Sequence, residues 1–189
     1  MPQKKISIIG GQWRGRKLFV PYGNGLHPTT HRVREMLFNW LAYDIYQAKC
    51  LDCFSGSGAL GFEALSRHAS SITLLEKNQI IARQLTKNKK ILGASNGHII
   101  NTNTLHYISK KGIPHHIIFI DPPFYQGLII KTITLLERNF WLENESLIYI
   151  ESEINKTDIP VPKNWQIYRK KITGQVESRL YLRLKINHE

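Results

Sequence analysis

From residue 49 onward, short apolar runs alternate with amphipathic stretches. The apolar runs read as strands at Lys49–Phe54, Ser71–Glu76, His98–Thr102, His116–Ile120 and Leu147–Glu151. Between them, apolar positions recur every three or four residues and predict helices at about 59–68, 78–92, 104–111 and 127–139. Strands that are apolar throughout, separated by helices, predict a parallel sheet covered on both faces. Right-handed crossovers then make it doubly wound. The pattern changes near the end, where Trp165–Ile172 and Ser178–Ile186 are strand-like and joined by a turn at Thr173-Gly174-Gln175. In the second, Leu180, Leu182 and Leu184 alternate with Tyr181, Arg183 and Lys185. That alternation predicts an antiparallel hairpin closing the sheet, with one apolar and one wet face.

The first 48 residues read differently. Residues 6–20 alternate loosely around Gly10-Gly11 and Arg14-Gly15-Arg16, which predicts a short basic β-hairpin arm. Gly23, Gly25 and Pro28 make 21–30 a loop. Thr29 or Thr30 can cap a helix with an apolar face of Val33, Met36, Leu37, Trp40 and Leu41. The expected division is an arm over 1–25 and an α/β domain over 26–189, a length that gives one well-cored domain and a small appendage. No apolar run reaches the roughly 18–20 residues a membrane span needs. Ile6–Ile9 is too short for a signal-peptide core, so the expectation is a cytoplasmic protein, and nothing in the sequence suggests more than a monomer.

Charge adds a partner to this picture. The chain carries a net +12, and such a surplus fits a polyanion whose condensed counterions are released on binding. The cations flank the middle of the chain. Lys4, Lys5, Arg14, Arg16, Lys17, Arg32 and Arg34 precede it, and Arg169, Lys170, Lys171, Arg179, Arg183 and Lys185 follow. Arg14, Arg16 and Lys17, with Trp13 beside them, are the candidate RNA contacts. Trp13 and Tyr22 can either stack on bases or pack the arm onto the domain. Metal chemistry is not expected. Cys50 and Cys53 lie three apart on a strand and point to opposite faces, and the adjacent His115 and His116 diverge.

The candidate chemistry lies at two strand ends. Asp52-Cys53-Phe54-Ser55-Gly56-Ser57-Gly58-Ala59-Leu60-Gly61 follows the first strand, and Gly56, Gly58 and Gly61 match G-x-G-x-x-G. Glu76, at the tip of the next strand, is placed to accept from a ribose diol. On these features alone a nicotinamide enzyme fits equally well. Asp52 favours a cationic ligand such as the amino group of S-adenosylmethionine over a pyrophosphate. The fourth strand runs into Asp121-Pro122-Pro123-Phe124. A carboxylate and a carbonyl from Asp121 and Pro122 can accept both hydrogens of an exocyclic base amine and aim its lone pair at a methyl donor. The prolines fix the backbone and remove competing donors, and Phe124 offers a stacking face.

Over nearly its whole length the chain resembles the bacterial 16S rRNA guanine-N2 methyltransferase family, the guanine-966 enzymes. The segments that carry the resemblance are 8–18 (Ile8-Ile9-Gly10-Gly11-Gln12-Trp13-Arg14-Gly15-Arg16-Lys17-Leu18), 28–35, 51–58, Asp121-Pro122-Pro123-Phe124 and Gly174-Gln175-Val176. The resemblance implies a seven-stranded class I methyltransferase (Rossmann-like) sheet with its last strand reversed, S-adenosylmethionine as cofactor, and 16S rRNA, within a small-subunit ribosomal particle, as partner. It implies that Asp52, Phe54, Gly56, Ser57, Gly58 and Gly61 wrap the methionine part and that Glu76, with Lys77 next to it, meets the ribose. Asn103, where many such enzymes carry an acid, would lie near the adenine. Asp121, Pro122, Pro123 and Phe124 would hold a flipped guanine. Thr30, Arg32 and Arg34 would approach the cofactor carboxylate, although the two arginines point to different sides of their helix. The Asp-Pro-Pro-Phe motif is shared with adenine-N6 methyltransferases and by itself specifies amine methylation only. A non-catalytic RNA-binding assembly factor with a vestigial cofactor site is the alternative from another class.

Overall fold

The computed structural model describes residues 3–21, 29–124, 126–154 and 158–185. Tyr22, Pro28, Ile186 and the expected arm boundary at 25–26 lie outside the described residues. Among those described, no helix is long and apolar enough to cross a membrane.

Strands β1 (Gln3–Ser7) and β2 (Lys17–Pro21) pair antiparallel as the arm. Helix α1 (His31–Trp40) follows, with Thr30 as its N-cap: the Thr30 hydroxyl accepts from the Val33 N–H at 3.3 Å. The alternation then runs β3 (Lys49–Asp52), α2 (Ala59–Ser66), β4 (Ser71–Glu76), α3 (Gln79–Leu92), β5 (Gly97–Asn101), α4 (Thr104–Ile108), β6 (His115–Ile120), α5 (Leu128–Arg138), β7 (Leu142–Glu153), β8 (Trp165–Thr173) and β9 (Val176–Arg183). Seven strands form one sheet in the order β5-β4-β3-β6-β7-β9-β8. Its direction reverses only at β9, which is antiparallel to both neighbours.

Two apolar cores lie on the two faces of this sheet. Cys50, Ile72, Leu74, Ile117, Phe119 and Tyr149 face one core, with α1, α2, α3 and the arm. Leu51, Cys53, Leu75, Ile118, Ile120, Ile148 and Ile150 face the other, with α4 and α5. Cys50 and Cys53, both buried and free, thus sit in different cores, as residues three apart on a strand should.

Three expected elements are redrawn. The C-terminal hairpin does close the sheet, with β9 inserted between β7 and β8 and β8 at the edge, but its faces differ from the expected ones. The expected wet face is partly buried: Tyr181 packs against Trp165, and Arg179 pairs with Glu177 at 2.6 Å, while Arg183 is half-buried and Lys185 exposed. Strand β7 starts at Leu142 rather than Leu147. Leu142 pairs with His115 before the register jumps to Ile117 opposite Leu147, and Glu145 in the bulge has φ +61°. Helix α4 ends at Ile108 rather than continuing to 111, because the Ile108 carbonyl accepts from Trp141 Nε1 and Asn139 Nδ2.

The arm is fastened to α2, a helix buried along its whole length. Ile6, Ile8, Leu18 and Val20 share the first core with α1 and α2. The fully buried Glu63 carboxylate accepts from the Ile9 and Gly10 N–H groups, both at 2.8 Å, and from Arg67 Nε at 2.8 Å. Ser66 Oγ donates to the Gly10 carbonyl and accepts from the Trp13 N–H. Gly11 has φ +73°, and a Cβ there would meet the Ser66 carbonyl oxygen at 1.8 Å, so only glycine fits. Replacing Glu63 with Ala strands two arm N–H groups and the buried Arg34 guanidinium. We expect a loss of about 3–5 kcal/mol in urea unfolding, the cost of breaking a buried ion pair. A loss under about 1 kcal/mol, the range of an exposed pair, would mean that the arm is held some other way.

Candidate functional site

In an open α/β sheet, ligands bind beyond the carboxyl ends of the strands, where the strand order changes direction. Here that point lies between β3 and β6. A cleft of about 620 Å³ opens there, and each of four adjacent strands, β4, β3, β6 and β7, brings an acid to it: Glu76, Asp52, Asp121 and Glu151.

Asp52 ends β3 and is 1% exposed, and its Oδ1 has no hydrogen-bond partner. Burial drives its pKa up to about 7; backbone hydrogen bonds from Phe54 and Gly61 pull it down, and Glu76 raises it further. The turn that follows brings the chain into α2 through Gly58, whose φ of +75° and close approach to Leu85 and Phe62 exclude a side chain. Glu76 holds this turn from the neighbouring strand: Oε2 accepts from the Gly56 N–H at 3.0 Å, and Oε1 accepts from the Asn78 N–H at 2.7 Å. Burial raises the Glu76 pKa despite these bonds.

Asp121 leaves β6 next to Glu151, because Ile120 pairs with Ile150 in the register of β6 and β7. The Thr29 hydroxyl donates to Asp121 Oδ2 at 3.0 Å. Burial raises the Asp121 pKa well above the carboxylate range and Glu151 adds to the shift, while the Thr29 bond opposes it. Glu151 is shifted up by burial and steadied by the Tyr149 hydroxyl, which donates to its Oε2 at 2.9 Å. Pro122 is buried, Pro123 exposed and Phe124 half-buried, all on the cleft wall.

Most of the residues singled out from sequence line this one cleft: Asp52, Phe54, Gly56, Ser57, Glu76, Lys77, Asn103 and Asp121 to Phe124. Gly58 and Gly61 stand behind its wall in α2 and its cap. Asn103 arrives with its side-chain oxygen already accepting from the His106 N–H at 3.1 Å as the cap of α4.

The structure does not bring three others to the cleft. Thr30 caps α1, Arg32 is exposed, and Arg34 turns to the arm, donating to the Ser7 carbonyl at 3.0 Å and lying 3.8 Å from Glu63. Thr29, one residue before the cap, makes the contact instead. Of the arm residues, Arg14, Arg16 and Lys17 are exposed, while Trp13 packs half-buried on the first core, which favours its anchoring role over base stacking. His115 stacks on Trp141, and His116 Nδ1 accepts from the Lys49 N–H.

Thr29 and Glu151 were not singled out in advance. Glu151 carried a usable signal: an acid at the end of an apolar strand, the same position that marked Asp52 and Glu76. Nothing in the sequence distinguished Thr29 from Thr30.

Comparison with known proteins places this geometry. Residues 6–182 match the family model described as conserved hypothetical protein 95. The ribosomal RNA small subunit methyltransferase D of Escherichia coli (strain K12) is 56% identical over 179 residues, which cover 95% of this chain and 90% of the relative. Its counterpart from Haemophilus influenzae is 46% identical over 181 residues, 94% of this chain and 93% of the relative. A solved Escherichia coli structure, yhhF, superposes with a TM-score of 0.89 at 56% identity, covering 96% of this chain and 99% of that one. With the family model spanning almost the whole chain and a relative more than half identical across the same stretch, the chain belongs to the ribosomal RNA small subunit methyltransferase D family.

Proposed function

We propose that this protein methylates the exocyclic N2 amine of a guanine, of the position-966 type, in 16S rRNA of a small-subunit ribosomal particle, acting as a monomer with S-adenosylmethionine as donor. The observation that carries this reading is a shared wall: the glycine turn with Asp52 and the Asp121–Phe124 segment line the same cleft.

The residues fit the cofactor. The buried Asp52 Oδ1 lacks a partner and matches an ammonium group, whereas a pyrophosphate would be repelled. Glu76 offers acceptors to ribose hydroxyls, and Lys77 and Asn103 are assigned to the adenosine portion. Bound there, S-adenosylmethionine supplies a methyl group on a positively charged sulfur.

The target base has to leave its stack to enter such a cleft, at a cost of a few kcal/mol. Phe124 gives it a face to stack on. Thr29 fixes the Asp121 carboxylate through Oδ2, leaving Oδ1 to accept one amine hydrogen while the Pro122 carbonyl accepts the other. Holding both hydrogens localises the nitrogen lone pair and directs it, and orientation of this kind can lower a barrier by about 7–11 kcal/mol. The new N–C bond leaves a surplus proton on nitrogen. Asp121, its proton affinity raised by burial and by Glu151, is the acceptor.

Asp121→Ala should lower turnover by about 10²–10⁴-fold, the range for a positioned acid–base group, with S-adenosylmethionine affinity largely kept in calorimetry. Mass analysis of labelled nucleosides from the wild-type reaction should show N2-methylguanosine; N6-methyladenosine would replace the guanine assignment, and normal turnover by the Ala variant would remove the site.

The pH profile follows from the same pair. Turnover requires ionised Asp121, so it should rise with pH along a limb displaced above the ordinary carboxylate range. Glu151→Gln removes a neighbouring negative charge, lowers the Asp121 pKa and should move that limb to lower pH. A limb that stays in place would show that Glu151 does not act on Asp121.

Asp52 ties stability to the same logic. Its folded pKa of about 7 exceeds the unfolded value, so the folded state binds the extra proton and the unliganded protein loses stability as pH rises between about 4 and 7. Asp52→Asn should therefore stabilise the unliganded protein at pH 8, by about 1–3 kcal/mol in urea unfolding, while abolishing S-adenosylmethionine binding. A variant that is less stable at that pH would contradict this account.

A further inference from the structure

Between Glu76 and Asp121 the chain contains no Asp or Glu, yet it contains Lys77, Arg83, Lys87, Lys89, Lys90, Lys110 and Lys111. The structure sorts these cations. Arg83, Lys87 and Lys90 fall at i, i+4 and i+7 of α3 and are exposed on one face, while Lys89 is half-buried on its flank. None of these four forms an ion pair among the described residues. Lys77 stands just before the Asn78 cap of α3, exposed and on the rim of the cleft. At 1.5 Å per residue, the row from Lys77 to Lys90 is about 20 Å long.

The far end of the row meets the arm. Strand β2 lies along α3, where the buried Asn88 side chain accepts from the Phe19 N–H at 3.2 Å and donates to the Phe19 carbonyl at 2.9 Å. One helical turn further on, Arg16 Nη2 donates to the Ile91 carbonyl. Arg16 therefore joins the row next to a hollow of about 540 Å³ lined by Lys87, Lys89 and Lys90 and by no acid.

A helix with no partner for this face has reason to avoid such a row. Like charges three or four residues apart each destabilise a helix by about 0.2–0.5 kcal/mol, and a Glu at i+4 is the usual remedy. Lys89 and Lys90 are accounted for by the negative end of the helix dipole; Arg83 and Lys87, in the middle of the helix, are not.

We propose that the exposed face of α3, from Lys77 to Lys90 and on to Arg16, is a track for the phosphodiester backbone of the RNA strand that enters the cleft. The inference rests on the proposed RNA substrate and extends it with a second footprint that runs about 20 Å along α3 from the cleft rim. A row of point charges that starts at the rim where a base must enter suits a continuous polyanion. A folded acidic protein surface would have no cause to begin there.

The test replaces Arg83, Lys87 and Lys90 together with Gln in the full chain, with Arg83→Lys, Lys87→Arg and Lys90→Arg as the charge-preserving control. The probes are small ribosomal subunits and protein-free 16S rRNA from cells lacking this methylation. The Gln variant should bind both probes more weakly, with the slope of log K against log salt smaller by about 2–3, given about 0.7–0.9 per lost phosphate contact. On small subunits KM should rise about tenfold or more at near-physiological salt while kcat stays unchanged, and the control should behave like wild type. An unchanged slope and KM would return α3 to an ordinary solvated face. Weaker binding to the particle alone, with protein-free rRNA unaffected, would assign the face to an acidic ribosomal protein and overturn the track. If the wild-type protein bound both probes and methylated neither, the proposed activity would fail, and the slope comparison would still decide the track.

Discussion

Four carboxylates converge at the carboxyl ends of four neighbouring strands, and bringing them together is costly. Burial raises the pKa values of all four, Glu76 raises that of Asp52 further, and Glu151 that of Asp121. The surrounding structure is arranged to hold the charges there. Glu76 is held by the glycine turn and by the cap of α3, Asp121 by Thr29, and Glu151 by Tyr149. Only Asp52 keeps a buried oxygen without a partner, and it is the one for which an ammonium is proposed. Stability withheld from the free protein in this way is returned when a cationic ligand binds.

The sheet and the cleft were legible because their signals are local. Apolar strands, helical periodicity, Gly56 to Gly61 and Asp-Pro-Pro-Phe each occupy a few consecutive residues, and the rule that ligands sit beyond the carboxyl ends brings them together. What escaped depended on distant neighbours. Tyr181 reads as wet until Trp165 of β8 is known to pack against it. Arg34 reads as a cofactor contact until Ser7 and Glu63 are known to be its partners. Glu151 gains a role only through its position beside Asp121, which the strand order decides.

The arm and α2 show how one element serves two ends. The N-terminal side of α2 follows the glycine turn, and its C-terminal side receives the arm through Glu63 and Ser66. The Gly-Gly-Gln-Trp stretch, of which Trp13 was a candidate for stacking on bases, is explained in good part by this fastening. Gly11 permits the approach, and Trp13 seals it. The exposed cations of the arm are then carried on a base that cannot shift without disturbing a fully buried helix.

The insertion of β9 has a consequence for how the molecule is made. Strand β7, which carries Glu151, is synthesised more than twenty residues before β9, the partner that covers its second edge. Until Val176–Arg183 emerges, that strand presents a row of open backbone groups, and the Tyr149 hydroxyl that steadies the acid at its tip lacks Ser178 of β9, its neighbour at 3.1 Å. A nascent chain therefore carries most of the sheet but not a finished cleft, whose wall has its full support only once β9 has been made.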